Sequence, residues 1–102
     1  MPEDMIEIEN AVSPGRTHRV NRAKYMAMRE ALLDVLPTEP PGMIVADAKA
    51  ALLPLLPENL FPGGDKAGWW LKAVQLDLEA KQVIARGPKA PVRLYQTARR
   101  KR

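Results

Sequence analysis

The sequence predicts a single α+β domain: three helices, a closing two-stranded hairpin, and an added strand or hairpin at the N-terminus. Three observations carry this. Apolar residues recur at helical spacing in three separate stretches. The N-terminal segment alternates apolar and acidic residues, and two short apolar stretches near the C-terminus read as strands. Segments rich in proline and glycine separate these pieces. A chain of 102 residues has room for one modest core, and 46% hydrophobic with 27% charged residues is a globular composition.

Taken in order, "MIEIEN" has the period-two pattern of a half-buried strand, "SPGR" is a turn, and "THRV" returns as a second strand. Asn21 is placed to cap a helix running from Arg22 to about Leu36. In that helix Tyr25, Met28, Leu32, Val35 and Leu36 share a face, Glu30 and Asp34 lie opposite, and Pro37 ends it. "MIV" is a short extended piece ahead of a second helix, "ADAKAALL", which Pro54 stops or kinks. After the loop "PENLFPGG", Asp65 is the expected N-cap of a third helix from about Lys66 to Lys81. "VIAR" and "VRLYQ" then form a hairpin around "GPKAP". The expected domain spans residues 1–97, with 98–102 as a basic tail.

This order is that of a winged helix-turn-helix domain. The stretch "LKAVQLDLEAKQVIAR" followed by "PVRLYQ" resembles the winged-helix pattern in which a third helix ends in Leu-Glu-x-Lys-Gly-x-Ile-x-Arg and leads into the wing. The chain also resembles a group of small uncharacterised bacterial proteins sharing "EPPG", "LFPGG", "GWWLKAVQLDLEAK" and "VIAR". That resemblance implies a winged-helix-like fold and no activity. Three departures stand out. The second helix opens on "MIVAD" without a Ser or Thr cap, and the loop between helices two and three is long for a simple helix-turn-helix. Gln82 also stands where the pattern has glycine.

Charge is divided unevenly. Residues 1–82 hold nine Lys or Arg against twelve Asp or Glu, whereas residues 83–102 hold seven basic residues and no acid. Such asymmetry points to a polyanionic partner for the C-terminal end. Arg86, Lys89 and Arg93 on the wing, with Arg99, Arg100, Lys101 and Arg102 in the tail, are the candidate phosphate contacts. On helix three only Lys72 and Gln75 are suited to reach base edges, and Glu79 shares their strip.

Two adjacent tryptophans raise a separate question. At about 100° per residue, Ala67, Trp70, Leu71, Val74 and Leu78 form one apolar stripe of the third helix. Trp69, Ala73, Leu76 and Ala80 form another on nearly the opposite side, with Asp77 and Lys81 on a polar strip between them. Trp70 therefore belongs to the core. For Trp69 three fates are open. Leu60, Phe61 or the N-terminal hairpin covers it; it anchors a dimer or protein interface with Leu76; or it stacks on an exposed base.

Other chemistries find little support. With no cysteine, disulfides, thiolate metal sites and cysteine catalysis are excluded. His18 is the sole histidine and reads as a surface residue. "GGDK" lacks the spacing of a phosphate-binding Walker loop, and no nucleophile is paired with a base. No cofactor, metal or catalysis is expected. The start "MPEDMIEIEN" lacks the basic end and apolar run of a signal peptide, and no apolar run approaches bilayer length. A cytoplasmic protein is therefore expected. The leading functional expectation is double-stranded DNA binding through the wing and tail. The alternative is a homodimerisation or protein-interaction module built on the Trp69 and Leu76 face.

Overall fold

The computed structural model describes residues 4–13 and 15–97. Strands β1 (Met5–Glu9) and β2 (Thr17–Asn21) form an antiparallel hairpin in which Ile8 pairs with His18 and Ile6 with Val20. Helix α1 (Arg22–Val35) follows at once, then strand β3 (Met43–Ile44) and helix α2 (Val45–Leu52). Two 3-10 turns lead to helix α3 (Ala67–Ala80), and strands β4 (Ile84–Arg86) and β5 (Arg93–Gln96) close the fold. The second sheet has the order β3-β5-β4, antiparallel throughout. The architecture is thus α+β, with three helices and two small antiparallel sheets, in the order the sequence predicts.

Local chemistry accounts for most boundaries. The Asn21 side chain accepts a 3.0 Å bond from the Lys24 N–H, satisfying one of the donors that a helix start leaves open. At the other end of α1, the Gln96 amide donates to the carbonyls of both Leu33 and Leu36, at 2.8 Å each. Helix α2 ends at Leu52, two residues ahead of Pro54, and has no side-chain cap at its start. His18 is exposed on β2.

Helix α3 starts differently from the sequence expectation. Asp65 is not its N-cap. Gly63 and Gly64 take positive φ in the turn before it, Lys66 occupies the cap position in a left-handed conformation (φ 60°), and no side chain caps the helix. The chain therefore enters α3 one residue later than the Asp65 rule places it. The exit of α3 also departs from regular geometry at Gln82, where the winged-helix pattern has glycine. Gln82 has φ 63°, a conformation that disfavours any residue with a Cβ.

The core joins the buried face of α1 (Tyr25, Met28, Leu32) to that of α3 (Trp70, Leu71, Val74, Leu78). Ile84 and Leu94 close it from the sheet, Ile8 and Val20 from the hairpin, and Phe61 from the loop. The Phe61 ring meets Trp70 edge-on, with centroids 6.3 Å apart. Fully burying side chains of this size is worth about 1.5–3 kcal/mol each.

Asp77 corrects the expected polar strip. It is 0% exposed, and donors converge on its carboxylate from three elements. The Glu9 N–H of β1 donates to Oδ1 at 2.9 Å, and the Tyr25 hydroxyl of α1 donates to Oδ2. The Lys81 ammonium completes the set, 2.8 Å from Oδ1 and 3.0 Å from Oδ2. Burial, and then the bond to Asp77, hold the Tyr25 hydroxyl well above the usual tyrosine pKa. A buried carboxylate with this many donors anchors the hairpin to the helices.

The connector of residues 37–42 is pressed against the second sheet. A Cβ at Gly42 would overlap the backbone of Leu94, and Gly42 also has φ 96°. A Cβ at Gly87 would come within 2.5 Å of the Pro41 carbonyl oxygen.

Asp77→Asn is expected to lower stability by about 2–4 kcal/mol, because the amide cannot accept from all three donors and leaves Lys81 unpaired; denaturant unfolding measures this. Since the folded-state pKa of Tyr25 is raised, its contribution is fully present below the unfolded tyrosine pKa of about 10 and fades as pH rises above it. Tyr25→Phe should remove that alkaline component from the pH dependence of unfolding. Gly42→Ala should cost on the order of 3 kcal/mol, combining a disfavoured φ with overlap against Leu94, and should lower the thermal midpoint accordingly.

Candidate nucleic-acid interface

The hairpin expected to be a wing is that of β4 and β5, in which Arg86 pairs with Leu94 and Ala85 with Tyr95. Alternation along β5 turns Leu94 and Gln96 inward, where both are buried, and leaves Arg93 and Tyr95 half-buried on the outer face. Lys89 is exposed in the loop between the strands. Neither Lys89 nor Arg93 enters an ion pair among the described residues. Two of the expected phosphate contacts are thus available to a ligand.

Arg86 is engaged elsewhere. Its Nε lies 2.7 Å from Oε1 of Glu79, near the C-terminal end of α3. The other oxygen of Glu79 accepts a 2.8 Å bond from the Gln75 amide. Glu79 therefore holds both residues at once. Gln75 is 3% exposed, which overturns its expected role at base edges: the amide is committed inside the protein. Lys72 is exposed on α3. Arg99, Arg100, Lys101 and Arg102 lie outside the described residues.

The Trp69 and Leu76 pair also divides. Leu76 is 8% exposed, so the expected apolar patch does not exist as a pair. The N-terminal hairpin meets α3 at this point. The Ala11 N–H donates to the Leu76 carbonyl at 3.2 Å, next to the bond between Glu9 and Asp77. Trp69, two turns earlier on α3, remains 54% exposed. Its ring stands edge-on to Trp70, with centroids 5.1 Å apart and planes at 81°. Phe61 packs on Trp70 and does not cover Trp69.

An open groove of about 490 Å³ lies where the hairpin turn, the end of α3 and strand β4 meet, lined by Ala11, Glu79, Gln82, Ile84, Ala85 and Thr97. Its one carboxylate, Glu79, is already paired. Among the described residues, no group of three or more His, Cys, Asp or Glu side chains is placed to hold a metal ion, and no helix is long and apolar enough to cross a membrane.

Sequence reasoning missed two acids. Asp77 lies between Leu76 and Leu78, four residues before Lys81, on a helix that is apolar on two sides. An acid in that setting, with a lysine one turn on, was the available signal for a buried anchor. Glu79 is separated from Arg86 by the turn at the exit of α3, and no helical periodicity reports such a pair.

The chain belongs to a family of unknown function (DUF6958), whose model matches residues 5–94. No curated protein matches it, and neither does any solved structure.

Proposed function

We propose that this domain is a winged-helix variant that binds nucleic acid, with double-stranded DNA the first ligand to test, as a non-catalytic protein. Phosphate contacts carry the binding and base readout contributes little. The element order and the strand order β3-β5-β4 support the winged-helix reading. The observation that carries the functional reading is the wing. Lys89 and Arg93 stand on it without ion-pair partners among the described residues, and the chain continues into "RRKR" at 99–102. The withdrawal of Gln75 and the engagement of Arg86 leave Lys72 as the one expected base-contacting residue of α3 that is still exposed. Affinity without sequence discrimination follows from such a set.

The rival reading, a dimerisation or protein-interaction module, retains exposed Trp69 and loses Leu76. Sedimentation of the free protein separates the two.

A labelled random-sequence duplex, titrated at two salt concentrations, tests the main reading. Affinity should fall steeply with salt, and the double variant Lys89→Ala with Arg93→Ala should reduce the logarithmic salt slope by about two. An unchanged slope would remove the wing from the interface. Glu79→Gln should raise duplex affinity about two- to fivefold, since it frees Arg86 and removes a carboxylate beside the phosphate path. The same titration reads this out.

A further inference from the structure

Trp69 is the exposed large apolar side chain of α3, 54% accessible. The hairpin hydrogen-bonds to α3 at Leu76 and Asp77, about two turns beyond Trp69. The exposed indole packs edge-on against the buried Trp70.

Three lysines surround this first part of α3. Lys66 occupies the cap position three residues before Trp69, and Lys72 lies three residues after it on an adjacent strip of the helix. Lys49 arrives from α2. Its Nζ lies 3.4 Å from where a Cβ on Gly68 would stand. This is ordinary contact distance, and it places the lysine against the first turn of α3 beside Gly68. All three lysines are exposed, and none enters an ion pair among the described residues. Asp65, beside Lys66, and Asp47, two residues before Lys49, are the nearest carboxylates along the chain.

We infer that Trp69 with Lys49, Lys66 and Lys72 is a stacking platform for an unpaired nucleobase. The inference rests on the nucleic-acid reading above and deepens it: the preferred ligand has single-stranded character. Charge complementarity selects this occupant. A protein partner seated on a tryptophan anchor, or a lipid surface, draws its affinity from apolar area around the anchor. Here Lys66 and Lys72, three residues before and after the indole on α3, and Lys49, which lies against the neighbouring Gly68, carry ammonium groups. An unpaired base presents a π-face to the indole and carries a phosphate on either side for the lysines. In a continuous duplex that face is already stacked.

The test uses the full chain with labelled single-stranded and duplex oligonucleotides of equal length. Wild type, Trp69→Ala, Trp69→Phe and the double wing variant are compared, with thermal melts to establish that each is folded. Wild type should bind the single strand more tightly than the duplex, with quenching of tryptophan emission. Trp69→Ala should weaken single-strand binding about tenfold and leave duplex binding within about twofold. Trp69→Phe, which keeps a π-face, should retain most of the single-strand affinity. If Trp69→Ala binds both ligands as wild type does, the platform is overturned while the wing reading stands. If the wing variant binds both ligands normally and Trp69→Ala loses the single strand, the platform stands and the wing reading falls. Absence of binding to either oligonucleotide at low salt overturns both. A wild-type dimer dissolved by Trp69→Ala would overturn the platform in favour of self-association.

Discussion

The Asp77 carboxylate lies fully inside the protein, and the placement of the hairpin depends on how it is satisfied. An ionised carboxylate in an apolar interior is unfavourable by several kcal/mol unless donors surround it. The donors here come from β1, from α1 and from the next turn of α3 itself. Forming this cluster requires the hairpin, the first helix and the third helix to be in register together. Apolar packing supplies most of the driving force, but it is tolerant of small slips. Hydrogen bonds to one carboxylate are not, and they convert a general collapse of β1 onto the helices into a single arrangement. That arrangement decides what α3 shows to solvent. The hairpin bonds to the Leu76 carbonyl, Leu76 is buried, and Trp69 two turns earlier stays exposed.

The Glu79 cluster works on the opposite flank of the same helix. Its two oxygens hold the Gln75 amide and the Arg86 guanidinium, so an α3 strip that reads as polar and outward is already internally paired. Recognition by a third helix needs side chains free to exchange water for base edges. A glutamine that is 3% exposed and bonded to its neighbour is not free in that sense. On the proposed nucleic-acid reading, the weight therefore falls on Lys89 and Arg93 and on the lysines at the first part of α3, none of which enters an ion pair among the described residues.

Much of this was legible from the sequence, for identifiable reasons. Period-two alternation in "MIEIEN", the Asn21 cap, the stop at Pro37 and the Pro/Gly boundaries are local signals, and each marks an element where the structure has one. The stripe through Trp70, Leu71, Val74 and Leu78 is likewise a property of one helix. What stayed hidden were pairings between elements: Asp77 with Glu9 and Tyr25, Glu79 with Arg86, and the hairpin with Leu76. A helical projection assigns acids to the outside because isolated carboxylates prefer water. It carries no information about donors that arrive from fifty or more residues away. Asp65 misled for a different reason. Two positive-φ glycines and a left-handed Lys66 shifted the helix start by one residue, and the capping rule does not anticipate an entry of that kind.

Gly42 and Gly87 have a consequence beyond the space they leave. Through them the connector after α1 lies flush against β5 at one point and against the end of β4 at another. The base of the wing is thereby splinted to the segment that leads into α2. A wing on a free hinge would lose conformational freedom on meeting a ligand, and that loss would be subtracted from its affinity. A splinted one is preorganised: the separation between Arg93 and the first turn of α3 is set when the chain folds. Any extended ligand that touches both must match a fixed span.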